Sequence, residues 1–279
     1  MIAGFGLMLS LASSGCIVVI ADVDDWEGWG KRVTTATTEE RSFETNGISA
    51  VNIETHNGSI TFDGQTDGGA GQVTITKKAG GRTQDEADAA MEAIELVFEP
   101  KGDTFEMSWR WKTPRKRGWN GDVSFAVRSP GHLDLSTETH NGPITVAGAT
   151  GAVEVESHNG EIKVNASGKS LEIEAHNGEI EAIYSGPSVT LNAHNGAITA
   201  DLSGCREVTG DVSSHNGDVR VSVGKETSAT VEARTDNGGI ECSAPLSDLK
   251  KSRRSLGGKL GAGGGKLEVE THNGAIAIR

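Results

Sequence analysis

At 279 residues the chain can hold one large domain or two small ones, and 38 glycines against 6 prolines, with five tryptophans, six phenylalanines and one tyrosine, argue for a thin, turn-dense β architecture and against a helical bundle. A formal charge of −13, from 39 acidic against 26 basic residues, repels phosphate backbones. The basic clusters Arg115-Lys116-Arg117 and Lys250-Lys251 with Arg253-Arg254 are short and lack interleaved aromatics, so nucleic acid is not an expected partner, and three cysteines without C-x-x-C spacing exclude a disulfide scaffold and a zinc ribbon.

From Met1 to Ala21 there is no charged side chain, and the run contains Leu9-Ser10-Leu11-Ala12-Ser13-Ser14-Gly15-Cys16. This resembles a bacterial lipoprotein signal peptide, in which small residues precede a cysteine that is lipidated after cleavage. Ser14-Gly15-Cys16 fits the lipobox, while Ser13 stands where leucine is usual and no Lys or Arg precedes the apolar region. The resemblance implies a signal over 1–15, lipid on Cys16, a tether over 16–41, and a location in the cell envelope outside the cytoplasm. An uncleaved membrane anchor is the alternative, since about 18 mostly apolar residues span a bilayer, and a buried strand is the third reading.

The next elements belong to a repeat. One tripeptide recurs eight times, with Asn57-Gly58, Asn141-Gly142, Asn159-Gly160, Asn177-Gly178, Asn195-Gly196, Asn216-Gly217, Asn237-Gly238 and Asn273-Gly274 each preceded by histidine, except that Asp236 stands in the seventh copy. The copies at His140, His158, His176 and His194 are 18 residues apart, and the next two steps are 21. Two residues after each glycine comes Ile60, Ile144, Ile162, Ile180, Ile198, Val219, Ile240 or Ile276, with a further apolar residue two positions on in every copy, which is one buried strand face. The residue before His or Asp is always Thr, Ser or Ala, and a second corner recurs at Ser167-Gly168, Ser185-Gly186 and Ser203-Gly204.

This grammar fits either a meander of Asn-Gly hairpins or a β-solenoid. The solenoid is preferred, because stacked coils bring equivalent positions within about 4.8 Å and reward identical columns, whereas hairpin tips stand apart. The fold expected is all-β: a β-solenoid, a single-stranded β-helix of about 18-residue coils over 42–279, with a right-handed or flattened coil favoured because the sixfold apolar rhythm of the left-handed hexapeptide helix is absent. Asparagine amides can then form a ladder along the corner, and Gly178 and Gly196 are expected at positive φ.

Over 77–128 the grammar stops, and a helix and hairpin insertion or cap is expected. Thr83-Gln84-Asp85-Glu86 reads as a capping box opening a short amphipathic helix. Ile94, Leu96 and Phe98, then Phe105, Met107, Trp109 and Trp111, alternate on either side of Lys101-Gly102-Asp103 as a hairpin, and Val123, Phe125 and Val127 add a strand.

The order of strands, helix, hairpin and repeated T-x-N-G-x-I-x-V units resembles the bacterial putative adhesin family of β-helical domains of unknown function, related to the head domains of autotransporter adhesins. Thr139-His140-Asn141-Gly142-Pro143-Ile144-Thr145-Val146 and Thr271-His272-Asn273-Gly274-Ala275-Ile276-Ala277-Ile278 carry the resemblance. It implies a fold and an adhesin-like surface role but transfers no catalytic residue.

The histidines invite a metal reading with His158, His176 and His194 as candidates, but a corner histidine tolerates positive φ and stacks on its neighbour, so no metal and no cofactor is expected. Glu154 with Glu172, Glu156 with Glu174, and Glu161 with Glu179 are 18 apart and read as a solvated outer face. No nucleophile and base pair is identifiable, so the expected function is a non-enzymatic envelope lipoprotein whose repetitive face binds cell-surface material or envelope proteins. A carbohydrate-active β-helix enzyme and an envelope-stress or scaffold component are the alternatives.

Overall fold

The computed structural model describes residues 22–24, 32–65 and 69–279. The signal-like segment and Cys16 lie outside them.

In chain order the strands are β1 (Asp22–Asp24), β2 (Arg32–Phe43), β3 (Ala50–Asn57), β4 (Ile60–Gln65) and β5 (Gly71–Gly81), followed by α1 (Gln84–Ala93), β6 (Ile94–Lys101), β7 (Thr104–Trp111) and β8 (Asn120–Pro130). The repeat then supplies β9 (Asp134–Asn141), β10 (Ile144–Ala149), β11 (Ala152–Asn159), β12 (Ile162–Ser167), β13 (Ser170–Asn177), β14 (Ile180–Ser185), β15 (Ser188–Asn195), β16 (Ile198–Leu202), β17 (Thr209–Asn216) and β18 (Val219–Val223). The chain ends with β19 (Ala229–Asn237), β20 (Ile240–Cys242), β21 (Ser247–Lys251), β22 (Ser255–Leu260), β23 (Gly265–Asn273) and β24 (Ile276–Ile278).

These strands form two 12-stranded sheets. Each repeat gives one eight- or nine-residue strand, ending in its asparagine, to one sheet and a shorter strand to the other, and coils adjacent in the stack pair in parallel. Ile144 pairs with Ile162, Ile162 with Ile180 and Ile180 with Ile198, so the apolar columns are in register. The Asn-Gly corner therefore links the two sheets and does not close a hairpin. Along β11 and β13 every second residue is buried and its neighbours exposed, the period-2 pattern of a strand with one face on the core. The inward faces bury Val153, Val155, Leu171, Ile173, Val189 and Leu191 against Ile162, Ile180 and Ile198 from the opposite sheet.

The coils do not stack in chain order. β3 lies directly on β9, pairing Asn57 with Asn141, while the intervening chain returns to the outer side of β3 and β4 as β7 and β8. At the other end β23 and β24, the last coil in sequence, sit between the β17/β18 coil and the β19/β20 coil. The hairpin β21–β22 then pairs antiparallel on the outer edge of β19.

β2, antiparallel to β5, begins at Arg32, so part of the stretch expected as a tether over 16–41 is sheet, and the domain starts earlier than residue 42. Its run of threonines followed by Glu39-Glu40-Arg41 offers no apolar stripe, and its pairing partner lies beyond the first coil. The helix starts as its capping box implies: Thr83 Oγ1 accepts the Glu86 amide at 3.2 Å, and the Glu86 carboxylate accepts the Arg82 amide at 2.8 Å. α1 buries Ala87, Ala90 and Ala93 and touches β2, β5 and β8 of one sheet and β6 of the other, closing the mouth between the sheets at that end. No helix among the described residues is long and apolar enough to cross a membrane.

Candidate functional site

The parallel register brings all eight corners into one line. Asn237 donates from its side-chain amide to Asn273 at 3.0 Å, Asn273 to Asn216 at 2.8 Å, and Asn216 to Asn195 at 2.8 Å. The chain of amides continues from Asn195 to Asn177 and from Asn177 to Asn159, both at 3.0 Å, then from Asn159 to Asn141 at 2.9 Å and from Asn141 to Asn57 at 2.7 Å. Asn57 ends the ladder on the carbonyl of Gly121 at 3.1 Å. Backbone bonds run the opposite way: the Gly160 amide donates to the Asn177 carbonyl, Gly178 to Asn195 and Gly196 to Asn216. Each corner is thus bonded twice to each neighbour.

Of the eight corner glycines only Gly58 and Gly142 have φ in the left-handed window, at 135° and 142°. Gly178 and Gly196 lie outside it, against expectation. Their requirement for glycine has another cause. A Cβ on Gly178 would fall on the carbonyl oxygen of Gly160, and one on Gly196 on that of Gly178, both far inside van der Waals contact. The small residue two before each asparagine also serves the packing: Thr139 donates to the Gly58 carbonyl, Ser214 to Gly196, Thr271 to Gly217 and Thr235 to Gly274.

Outside the amide ladder stand the histidines, all exposed. His56, His140, His158, His176, His194, His215 and His272 form one continuous stack with centroid spacings of 4.5 to 5.1 Å and ring planes within 8° of parallel. Asp236 does not interrupt this column, as its sequence position implies, but terminates it: the inserted last coil places His272 against His215, and Asp236 Oδ2 lies 2.9 Å from His272 Nδ1. That hydrogen bond holds the Asp236 carboxyl below the usual range, with Arg234 adding to it. His158, His176 and His194 are neighbours, yet parallel rings aim their lone pairs in parallel, which does not converge on one ion. Among the described residues no group of three or more His, Cys, Asp or Glu is disposed to hold a metal.

Beside the imidazoles runs a carboxylate column. Glu54, Glu138, Glu156 and Glu174 occupy four consecutive coils in register, with Glu154 paired to Glu172 one alternate position away. A shallow groove of about 600 Å³ on the outer face of the other sheet is lined by Glu40, Thr61, Asp63, Thr74 and Arg128. Cys205 is buried and free, its thiol pushed up by burial, and Cys242 is free and half-buried.

Residues 34–279 match the family described as Toastrack DUF4097. The chain belongs to that family. No curated protein matches this Toastrack chain. Among solved structures it is similar to a putative adhesin from Bacteroides fragilis, 13% identical with 87% of this chain and 97% of that chain covered and a TM-score of 0.49. It is also similar to a putative cell adhesion protein from Clostridium sporogenes, 13% identical over 87% and 98% of the two chains with a TM-score of 0.34. A putative lipid binding protein from Parabacteroides distasonis is 13% identical over 88% and 96% with a TM-score of 0.36.

Two titrations on the Toastrack face oppose each other. Partial desolvation between the stacked rings, then the charges of the neighbouring His140 and His176, hold the exposed His158 imidazole below its ordinary value. The folded state therefore binds fewer protons than the unfolded chain below about pH 6.5, and the stability present above that pH is lost as pH falls through the folded value. For Glu156, burial and then Glu138, Glu174 and Glu154 raise the carboxyl, so its contribution is complete below about pH 4.3 and is lost as pH rises through its folded value. In thermal melts from pH 7 to pH 5.5 the Tm of wild type should fall relative to that of His158→Asn, and Glu156→Gln should have a higher Tm than wild type at pH 7. Identical slopes in wild type and His158→Asn would refute the assignment.

Proposed function

We propose that this protein is a non-enzymatic cell-envelope lipoprotein, lipidated at Cys16, whose ladder face binds cell-surface material or envelope proteins. The supporting observation is the regularity of that face. Seven imidazoles at 4.5 to 5.1 Å, flanked by in-register carboxylates, offer the same side chains again and again along a rigid axis, and a partner with its own repeat gains one contact per coil. A chemical step would need unlike groups converging on one point, whereas here each column presents like groups in parallel. The fixed backbone ladder keeps the columns straight, so the partner meets a preorganised surface.

The test has two arms. Cys16→Ser should move the protein from the membrane to the soluble fraction, and an intact Met1 peptide in mature protein would sink the lipidation reading. Replacing Glu138, Glu156 and Glu174 together by lysine reverses the charge of the Glu54 to Glu174 column without touching the core. Retention on washed envelope preparations should be lost in this variant; undiminished retention would remove the ladder face as the binding surface.

A further inference from the structure

Three of the five tryptophans gather at the end of the stack where β1 and β2 lie, together with an acid-free basic stretch. From Met107 to Gly121 there are five cations, Arg110, Lys112, Arg115, Lys116 and Arg117, and no Asp or Glu. Arg110 is committed to Glu95 at 2.6 Å, but the other four have no carboxylate partner among the described residues. In sequence Trp109 and Trp111 alternate with Arg110 and Lys112, whereas Trp119 lies beyond Arg115-Lys116-Arg117 and nothing local places its ring beside the other two. Folding brings them together. Lys116 Nζ lies 4.9 Å from the Trp119 ring centroid, Trp119 is 5.8 Å from Trp111, and Trp111 is 5.5 Å from Trp109. Trp109 is fixed by donating to Thr55 Oγ1 at 3.0 Å. The loop is tied to the end-closing helix, with the Lys112 amide on the Ala93 carbonyl at 2.8 Å and Lys112 Nζ on the Glu92 carbonyl at 2.8 Å. Arg82 lies beside Gly118 and adds a fifth free cation.

We infer that the Lys112 to Arg117 loop docks this end of the solenoid on the anionic headgroups of the membrane that carries the lipid anchor. This rests on the reading of Cys16 as the lipidated residue. Three observations favour a headgroup surface over an extended polyanion. The loop is at the end of the stack where β1, the first described strand, lies, so an anchor on Cys16, six residues before β1, is close to this end along the chain. The tryptophan rings are buried or half-buried, with Trp119 at 8% exposure, which limits the ring face offered to a nucleic acid base. The acidic columns run along the body and away from this end. Glu54, the nearest of its column, is on β3, directly paired with β7 from which the loop leaves, so this one carboxylate of the column also opposes the attraction while Glu138, Glu156 and Glu174 lie progressively farther down the stack. A planar surface touching only the end avoids most of the −13 charge, whereas a polymer lying along the body does not. Helix α1 brings Asp85, Glu86, Asp88 and Glu92 to the same end and the edge strand β6 adds Glu95 and Glu99, which offsets part of the attraction; Glu86 is bonded to the Arg82 amide, Asp88 to Thr35 and Gln84, and Glu95 to Arg110. An acyl anchor with an adjacent polybasic patch fixes orientation as well as attachment, so the solenoid is held with its axis upright and its ladder face clear of the bilayer.

The experiment uses the full chain carrying Cys16→Ser and measures binding to vesicles of phosphatidylcholine alone and of phosphatidylcholine with 30% phosphatidylglycerol, a composition of roughly the anionic density at which basic residues act. The uncharged N-terminal run partitions into both, so the ratio of the two affinities reads the loop alone. Each basic residue at such a surface is worth roughly fivefold; with the α1 carboxylates opposing, the ratio should be about tenfold in low salt and close to one in high salt. Arg115→Gln/Lys116→Gln/Arg117→Gln should abolish the preference. The quadruple change of Lys250, Lys251, Arg253 and Arg254 to Gln, on the hairpin at the opposite end, should leave it intact. A ratio of one for the parent protein, loss in the hairpin variant with retention in the loop variant, or displacement from the vesicles by a single-stranded oligonucleotide would each overturn the proposal. Mass analysis of the N-terminal peptide of the mature wild type reads lipidation separately, so failure of the anchor and failure of the loop are distinguishable.

Discussion

Gly178→Ala should lower the stability of the protein by about 3 kcal/mol or more, while Gly239→Ala, one residue past the Asn237-Gly238 corner, should stay within about 0.5 kcal/mol of wild type. Both glycines lie outside the left-handed window, so backbone strain does not separate them. What separates them is the neighbouring coil. A Cβ on Gly178 meets the Gly160 carbonyl oxygen and carbon, whereas one on Gly239 meets nothing within 4 Å. Overpacking between flexible side chains is relieved by rotamer changes, but here both partners are backbone, and moving Gly160 disturbs its amide bond to the Asn177 carbonyl. Gly196→Ala should resemble Gly178→Ala, since its Cβ falls on the Gly178 carbonyl. Denaturant unfolding of the three variants decides the matter, and equal stabilities for Gly178→Ala and Gly239→Ala would show that close approach is not what the corners require.

The second large effect concerns the direction of the amide ladder. Asn159 donates to Asn141 Oδ1 at 2.9 Å and accepts from Asn177 at 3.0 Å. Asn159→Ala removes both bonds and should cost about 2 kcal/mol, at roughly 1 kcal/mol each. Asn159→Asp keeps the acceptor but turns the donor into a second oxygen facing the Asn141 oxygen, so at pH 7 it should cost more than the alanine variant. Protonation restores a donor toward Asn141. The carboxyl introduced by Asn159→Asp therefore has a raised folded pKa, and its contribution is complete below about pH 3.9 and lost as pH rises through the folded value. Relative to wild type at the same pH, the aspartate variant should regain stability on acidification and the alanine variant should not. A deficit in Asn159→Asp that does not vary with pH would mean that the ladder has no fixed direction.

These outcomes bear on how the chain encodes its structure. The apolar residue two after each corner glycine, with its period-2 partner, specifies a strand with one buried face, and the identical corner at each repeat sets parallel stacking in register. Those features are local or periodic, and Ile144, Ile162, Ile180 and Ile198 pair accordingly. The capping box at Thr83 and the hairpin across Gly102, whose φ is 69°, are legible for the same reason: their chemistry is complete within a few residues.

The order of the coils is a different kind of information. Every corner offers the same asparagine, glycine and small hydroxyl or methyl, so a coil fits beside any other, and nothing near His272 in sequence states that its neighbours are His215 and Asp236, 57 and 36 residues away. Only closure of the stack, with β21 and β22 along the outer edge of β19 and the last coil filling the space behind it, settles that order. The same holds for the corner glycines, where an Asn-Gly pair announces positive φ but the carbonyl that excludes a side chain belongs to the coil beneath. Trp109, Trp111, Trp119 and Lys116 likewise become a single surface only when β7 packs on β3 and the loop is pinned to α1. Periodicity and turn chemistry, which act within a repeat, were determined by the sequence alone; adjacency between repeats was decided by the tertiary structure, because interchangeable coils differ in energy only through what covers the two ends.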